Sequence, residues 1–303
     1  MSHPAKNRPL NPRRIGVITM HTFTQLVRMK VFYFLGVFAV ILLGSNLFEI
    51  QDLGRPDLEG TDVLRSIRSW SLGTMTLFSV VIGVVATALL LPKDVEDRTL
   101  YTILAKPVPR LDYLVGKLGG VLLLIFVSLL VMDLLMAGVL ALRTNLVVAE
   151  QVAAVTAAGW PAAEIEALRQ DTLNQGPTWS LHGAVFVVFL RAAVIASTAM
   201  MISTFSTSTL FTTITGFLMY FIGNFQAEAR GLYFGEGVSP LEKGAGLLVA
   251  TIFPDFQLFN VIDNLIEGGH FEGGELPMLI ALSGFYVVLH LFVSWIVFAE
   301  KEF

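Results

Sequence analysis

The chain has 303 residues, of which 54% are hydrophobic and only 15% are charged. A soluble globule of this length needs more polar surface, so the composition excludes the soluble classes and indicates an integral membrane protein. The absence of cysteine excludes disulfide frameworks, thiolate metal sites and cysteine nucleophiles. The formal net charge of −4 becomes informative only when it is divided between the two sides of the membrane.

The N-terminal segment, residues 1–30, is basic and contains no acidic residue. No apolar stretch with a cleavage site precedes its basic residues, so we expect no cleaved signal peptide. On a helical wheel one face is apolar and the opposite face carries Arg13, Arg14 and Arg28. The apolar face consists of Ile15, Ile18, Thr22, Leu26 and Met29. We therefore predict an N-terminal interfacial helix whose basic face lies toward the anionic headgroups of the inner leaflet.

Six apolar runs follow that reach or approach the roughly 20 residues needed to cross a hydrocarbon core. They are Val31–Phe48, Trp70–Leu91, Leu118–Leu142, Leu181–Thr204, Ser208–Phe225 and Pro277–Phe298. With the N-terminus inside, the inner segments carry an excess of Lys and Arg and the outer loops an excess of acids, as the positive-inside rule requires. We predict an all-α integral membrane protein with six transmembrane helices and cytoplasmic termini.

Both long outer loops contain features of their own. In Arg143–Ser180, the sequence Trp160–Glu164 places a proline and an acid where a helix begins, which predicts a small external helical cap. In the loop before the sixth span, the apolar run Gly244–Phe253 is too short to cross and is ended by Pro254. We expect that run to be a re-entrant or interfacial segment.

A charge-rich segment, Pro92–Lys117, separates the second and third spans on the cytoplasmic side. Asp94, Asp97 and Thr99 offer N-cap oxygens to a short helix over Leu100–Ala105, which the following prolines end. That helix would show Leu100, Ile103 and Leu104 on one side, as a helix that inserts into a groove on a partner protein does. An ordinary polar loop with one short helix is the alternative interpretation.

The spacing of residues in this segment is distinctive. The residues concerned are Glu96, Thr99, Leu100, Leu104, Pro107, Val108, Arg110, Leu114 and Lys117. Their pattern resembles the cytoplasmic segment of ABC-2 type permeases, the membrane subunits of ABC exporters. Thr19–Leu35, Phe217–Asn224 and Phe253–Val261 resemble the branch described as permease components for multicopper-enzyme maturation. Arg98 departs from the pattern, because the family usually has a glycine there that permits a positive φ.

The resemblance implies one ABC-2 type transmembrane domain over residues 1–303, with spans in 31–298 and a cytoplasmic tail at 299–303. It implies an exporter of the bacterial inner membrane, built as a homodimer or as a pair with a similar permease and surrounded by lipid. The implied ATPase-coupling residues are Glu96, Thr99, Leu100, Ile103, Leu104, Pro107 and Arg110. Because the chain has no P-loop, we expect ATP and Mg²⁺ to bind a separate ATPase subunit and no cofactor to bind this chain directly.

Two charged residues lie inside the predicted spans, Asp133 in the third and Arg191 in the fourth. Each is about ten residues from the outer end of its span, or ~15 Å deep, so an ion pair is geometrically possible. We predict an intramembrane polar pair that either fixes helix packing or forms a polar site on the substrate path.

No catalytic or metal-binding pattern accompanies these residues. The histidines have no metal-ligand spacing, and His290 in the last span is expected to be a packing residue. A secondary carrier would need inverted repeats, and an intramembrane enzyme a nucleophile, a metal cluster or paired carboxylates. We therefore expect a non-catalytic subunit that binds no metal and no nucleic acid. Its apolar pathway would suit an amphipathic or lipid-linked substrate better than a small ion such as copper.

Overall fold

A computed structural model describes residues 10–45, 60–96, 108–206, 208–227, 239–244, 246, 253–266, 269, 271 and 273–300. Regular structure within these ranges is helical. The helices are α1 (Pro12–Val27), α2 (Lys30–Ser45), α3 (Thr61–Glu96), α4 (Arg110–Ala157), α5 (Ala162–Asn174), α6 (Trp179–Phe205), α7 (Thr209–Asn224), a 3-10 turn (Phe256–Phe259), α8 (Val261–Ile266) and α9 (Glu275–Glu300).

Within the described ranges, four helical stretches are long and apolar enough to cross a membrane. They are Thr61–Leu90, Arg110–Ala157, Ala162–Phe205 and Glu275–Ala299, and they correspond to the predicted second, third, fourth and sixth spans. Helices α2 and α7, at the predicted first and fifth spans, have 16 residues each. A helix of that length covers about 24 Å, short of a typical hydrocarbon core, so the count of six spans stays a prediction.

Helix α6 lies at the centre of the bundle and packs against α3, α4, α7 and α9. Its buried residues include several alanines spaced along the helix. Gly83 of α3 faces two of them, Ala192 and Ala196, across the interface between α3 and α6. Small side chains let two helix backbones approach closely, which is how membrane helices gain packing contacts. By contrast α9 lies at the periphery. Only 22% of its most apolar 18-residue segment is buried, whereas 83% of the corresponding segment in the stretch that contains α6 is buried.

Helix α1 is present where the sequence predicts a helix, and it is capped by Asn11, whose side chain accepts a hydrogen bond from the Arg13 backbone N–H. The predicted apolar face is the buried one, but it packs on α4. Gly116 and Gly120 of α4 leave room for this contact, since a Cβ on Gly120 would lie 2.5 Å from Thr22. Protein, rather than lipid, therefore covers the face of α1 that contains Thr22.

The prediction of a long outer loop over Arg143–Ser180 is wrong in its first part. Helix α4 continues without interruption to Ala157 and has 48 residues, about 72 Å of helix. It ends where Gly159 adopts a φ of +75°, a conformation suited to glycine. Helix α5 then folds back on α4, and the Thr172 hydroxyl donates a hydrogen bond of 2.8 Å to the Gln151 side chain. A helix therefore occupies the place of the predicted external cap.

The buried Arg68 of α3 joins α3 to the loop between α5 and α6. Its guanidinium donates hydrogen bonds to the Gln175 side chain (3.0 Å) and to the backbone carbonyls of Asn174 (3.2 Å) and Gly176 (2.9 Å). The loop between α5 and α6 is thereby fixed to α3. Most of the predicted re-entrant run Gly244–Phe253 lies outside the described residues.

Candidate coupling site at the helix ends

The predicted coupling residues fall mainly outside the part of the chain that the structure describes. Thr99, Leu100, Ile103, Leu104 and Pro107 all belong to the range 97–107, which is not described. Glu96 is the last residue of α3 and Arg110 the first of α4. The structure therefore describes the two helix ends to which this segment is attached.

The end of α3 is joined to α4 by a buried ion pair. Asp94 Oδ2 lies 2.6 Å from Lys117 Nζ, and the two residues are only 5% and 2% exposed. The Tyr113 hydroxyl donates a hydrogen bond to the same carboxylate. The Lys117 ammonium also lies 5.6 Å from the centre of the Tyr113 ring. The pair therefore holds α3 and α4 together close to the points where segment 97–107 is attached to them.

This arrangement corrects the predicted role of Asp94 as an N-cap for the coupling helix. Because α3 continues to Glu96, Asp94 lies in the last turn of a helix rather than at the start of one. A carboxylate there is unfavourable toward the helix dipole. The positive charge of the Lys117 ammonium offsets this unfavourable interaction.

A second ion pair joins α4 to α1. The Asp112 carboxylate is fully buried and lies 2.9 Å from Arg14 Nε. It also accepts hydrogen bonds from the backbone N–H groups of Leu10 and Asn11. An acid in the first turn of α4 is favoured by the helix dipole. Arg14, which we expected to face lipid headgroups, instead binds this acid.

The start of α4 is also joined to the end of α9. The Arg110 guanidinium donates to the backbone carbonyls of Phe298 and Ala299 and lies 5.9 Å from the Phe298 ring centre. The Tyr113 ring stacks on Phe298 with centroids 5.8 Å apart. The last carbonyls of a helix have no partner within it, so a cation there satisfies them and complements the dipole.

These contacts form one group, which we call the helix-end cluster. It consists of Arg14, Asp94, Arg110, Asp112, Tyr113, Lys117 and Phe298. It joins the ends of α1, α3, α4 and α9 around the attachment points of segment 97–107. Sequence reasoning singled out Arg110 and Lys117 by resemblance but missed their partners. The available signal was the set of opposite charges at the ends of two helices joined by a short connection.

The predicted pair of Asp133 and Arg191 is not what the structure shows. Asp133 of α4 instead pairs with His182 of α6, with Oδ2 at 2.8 Å from Nδ1. Arg191 follows His182 by nine residues on α6, which is two and a half helical turns and hence the opposite face. The assumption of equal depth fails because α4 extends far beyond the predicted outer end of its span.

Arg191 is surrounded by groups from the other side of α6. Its guanidinium donates to the Asn224 side chain of α7 and lies 5.4 Å from the Tyr220 ring centre and 5.7 Å from that of Phe256. Aromatic faces and an amide oxygen stabilise this cation. Arg191 therefore fixes α7 and the 3-10 turn against α6.

His290 is buried, as a packing histidine is, although its Nε2 has no hydrogen-bond partner among the described residues. It is 2% exposed between α9 and α6, and its Nδ1 lies 2.9 Å from the Ser197 hydroxyl. Within the described ranges, no three His, Cys, Asp or Glu side chains come together as a metal site would require.

A helical bundle with several membrane-length helices defines a multi-pass membrane protein. The family model described as ABC-2 family transporter protein matches residues 16–234, well over half of the chain. The chain therefore belongs to the ABC-2 transporter family, and it is a membrane permease of an ABC transporter. Members of this family are non-catalytic membrane subunits that typically work with an ABC ATPase subunit. The comparison with curated proteins found no match.

Proposed function

We propose that this chain is the permease subunit of an ABC exporter, and that a separate ATPase subunit docks on segment 97–107. The proposal places ATP and Mg²⁺ on the ATPase subunit and no cofactor on the permease. Substrate moves outward from the cytoplasm or the inner leaflet. Family membership favours this function over a secondary carrier or an intramembrane enzyme.

The observation that carries the proposal is the helix-end cluster at the base of the segment. The Asp94–Lys117 pair joins the end of α3 to α4, and Arg110 joins the start of α4 to α9. A displacement of the segment would therefore reach three helices, through the buried Asp94–Lys117 pair and the half-buried Arg110. Coupling travels well through such packed, ion-paired helix ends because they move as rigid bodies.

The assembly and orientation belong to the same proposal. The chain forms one transmembrane domain with six spans in the bacterial inner membrane, and both termini are cytoplasmic. The two 16-residue helices α2 and α7 supply the first and fifth spans. Two copies, or one copy with a similar permease, enclose the pathway within the lipid. The substrate is amphipathic or lipid-linked, and assignment to the multicopper-maturation branch stays a prediction.

Co-purification tests the docking step. The double substitution Leu100→Asp and Leu104→Asp places two charges on the predicted apolar face, and we expect it to abolish recovery of the ATPase subunit with the permease. The matched control is Leu146→Asp with Leu173→Asp, two exposed leucines on α4 and α5. Equal recovery of the ATPase subunit with both variants and the wild type would remove segment 97–107 from the docking role.

A further inference from the structure

Helices α4 and α6 leave a cleft of about 100 Å³ between them, on the side of α6 opposite Arg191. Two matching stripes line it, each with residues at i, i+4 and i+7. The stripe on α4 is Phe126, Leu130 and Asp133, and the stripe on α6 is His182, Phe186 and Phe189. Because this spacing keeps residues on one helix face, each stripe runs along the length of the cleft.

One end of the cleft is polar and accessible. The Asp133 and His182 side chains, paired at 2.8 Å, are 17% and 33% exposed. Trp179, one helical turn before His182, is 90% exposed and its ring centroid is 5.8 Å from that of His182. Exposed tryptophans of this kind mark the level of the lipid headgroups. The acid therefore lies close to the membrane boundary, where a headgroup can reach it.

The rest of the cleft is apolar. Phe189 packs edge-on against Phe126 with centroids 5.5 Å apart and stacks against Phe186 at 6.0 Å. Leu130 and Phe126 remain 46% and 43% exposed. The aromatic rings thus form an apolar surface next to the acid, and a hydrocarbon chain can lie along it.

The charge of the polar end decides which headgroup fits. A carboxylate that is only 17% exposed beside an apolar cleft is unfavourable unless it is paired. Its partner His182 supplies a positive charge only when protonated, and no Lys or Arg side chain in the described part of the chain pairs with Asp133. Its hydrogen bonds there also go only to His182. A protonated amine can therefore replace the imidazole as the partner of the carboxylate.

We propose that this cleft binds an amphipathic amine from the membrane, with the ammonium group on Asp133 and the hydrocarbon chain along Phe126 and Phe189. A pair that served only to lock two helices would be fully enclosed, whereas this pair faces an open cleft. The inference names a substrate class for the proposed exporter and rests on the proposed function only in treating the bound amine as a candidate for transport.

Photo-crosslinking tests the binding site without the ATPase subunit. The purified permease in lipid nanodiscs is irradiated with a long-chain primary alkylamine that carries a diazirine, and in parallel with the alcohol of the same chain. We expect the amine to label peptides that contain Phe126–Asp133 and His182–Phe189. Asp133→Asn, which keeps the shape but removes the charge, is expected to lower amine labelling about tenfold and leave the weak alcohol labelling unchanged.

Two further variants keep the test decisive. Glu164→Gln removes an exposed acid on α5 and is expected to label as the wild type does. Leu130→Trp retains the acid but fills the cleft, and it should lose amine labelling even if Asp133→Asn fails to fold. Equal labelling of the wild type by the amine and the alcohol overturns the proposal. Amine labelling that persists in both Asp133→Asn and Leu130→Trp overturns it as well. Such a result leaves ATPase docking untouched, because co-purification tests that step separately.

Discussion

The Asp94–Lys117 pair provides a quantitative prediction about the helix-end cluster. Lys117→Met removes the ammonium but keeps most of the side-chain volume, so the buried Asp94 carboxylate loses the cation that lies 2.6 Å from it. Breaking a buried ion pair on one side costs about 3–5 kcal/mol, since it leaves an uncompensated charge. We expect Lys117→Met to lower the free energy of unfolding in detergent by about that amount.

The double variant Asp94→Leu with Lys117→Met separates this reasoning from a simple packing effect. It leaves no lone charge, so we expect it to recover most of the stability that Lys117→Met loses. The assay is denaturant or thermal unfolding of the purified permease, with Asp62→Asn as a control at an exposed acid of α3. A loss below about 1 kcal/mol for Lys117→Met, or a double variant whose loss equals the sum of the single losses, would refute the reasoning.

Two other predictions concern packing and the intramembrane charges. Gly120→Val is expected to destabilise the permease by about 1–3 kcal/mol, because its side chain would meet Thr22 of α1, while Gly138→Val, with open space around it, should have little effect. Equal melting temperatures for the two variants would contradict the close contact of α1 with α4. Asp133→Asn and Arg191→Gln are expected to change unfolding free energies additively within about 0.5 kcal/mol, since Asp133 of α4 contacts the His182 side of α6 and Arg191 lies on the opposite side of that helix. A larger coupling in this double-mutant cycle would mean that they interact.

Much of the helical layout is predictable because it rests on local patterns. The apolar runs locate the membrane-length helices, and the wheel of Ile15–Met29 identifies the buried face of α1 correctly. What covers that face was not predictable, since Gly116 and Gly120 lie about a hundred residues later in the chain. A stripe of small residues within an apolar helix marks close packing without naming its partner.

The polar contacts were harder to predict for a related reason. Asp133 and Arg191 were paired on an assumption of depth, which the continuation of α4 beyond Arg143 invalidates. A helical wheel of α6 places Arg191 and His182 on opposite faces. The helix that supplies a partner to one of them therefore cannot readily supply a partner to the other. The Asp94–Lys117 pair depends on how far α3 continues into the charged segment, and helix ends are the least predictable part of an element.

The central claim is that segment 97–107 contacts the ATPase subunit on the cytoplasmic side. The natural chain has no cysteine, so a single Thr99→Cys supplies the permease with its only thiol. Thr156→Cys, exposed near the far end of α4, is the matched control. A thiol-directed crosslinker is applied to membranes that contain the permease and the ATPase subunit that co-purifies with it. The account predicts a crosslinked species from Thr99→Cys that Thr156→Cys does not form. A crosslink from Thr156→Cys but not from Thr99→Cys would contradict it.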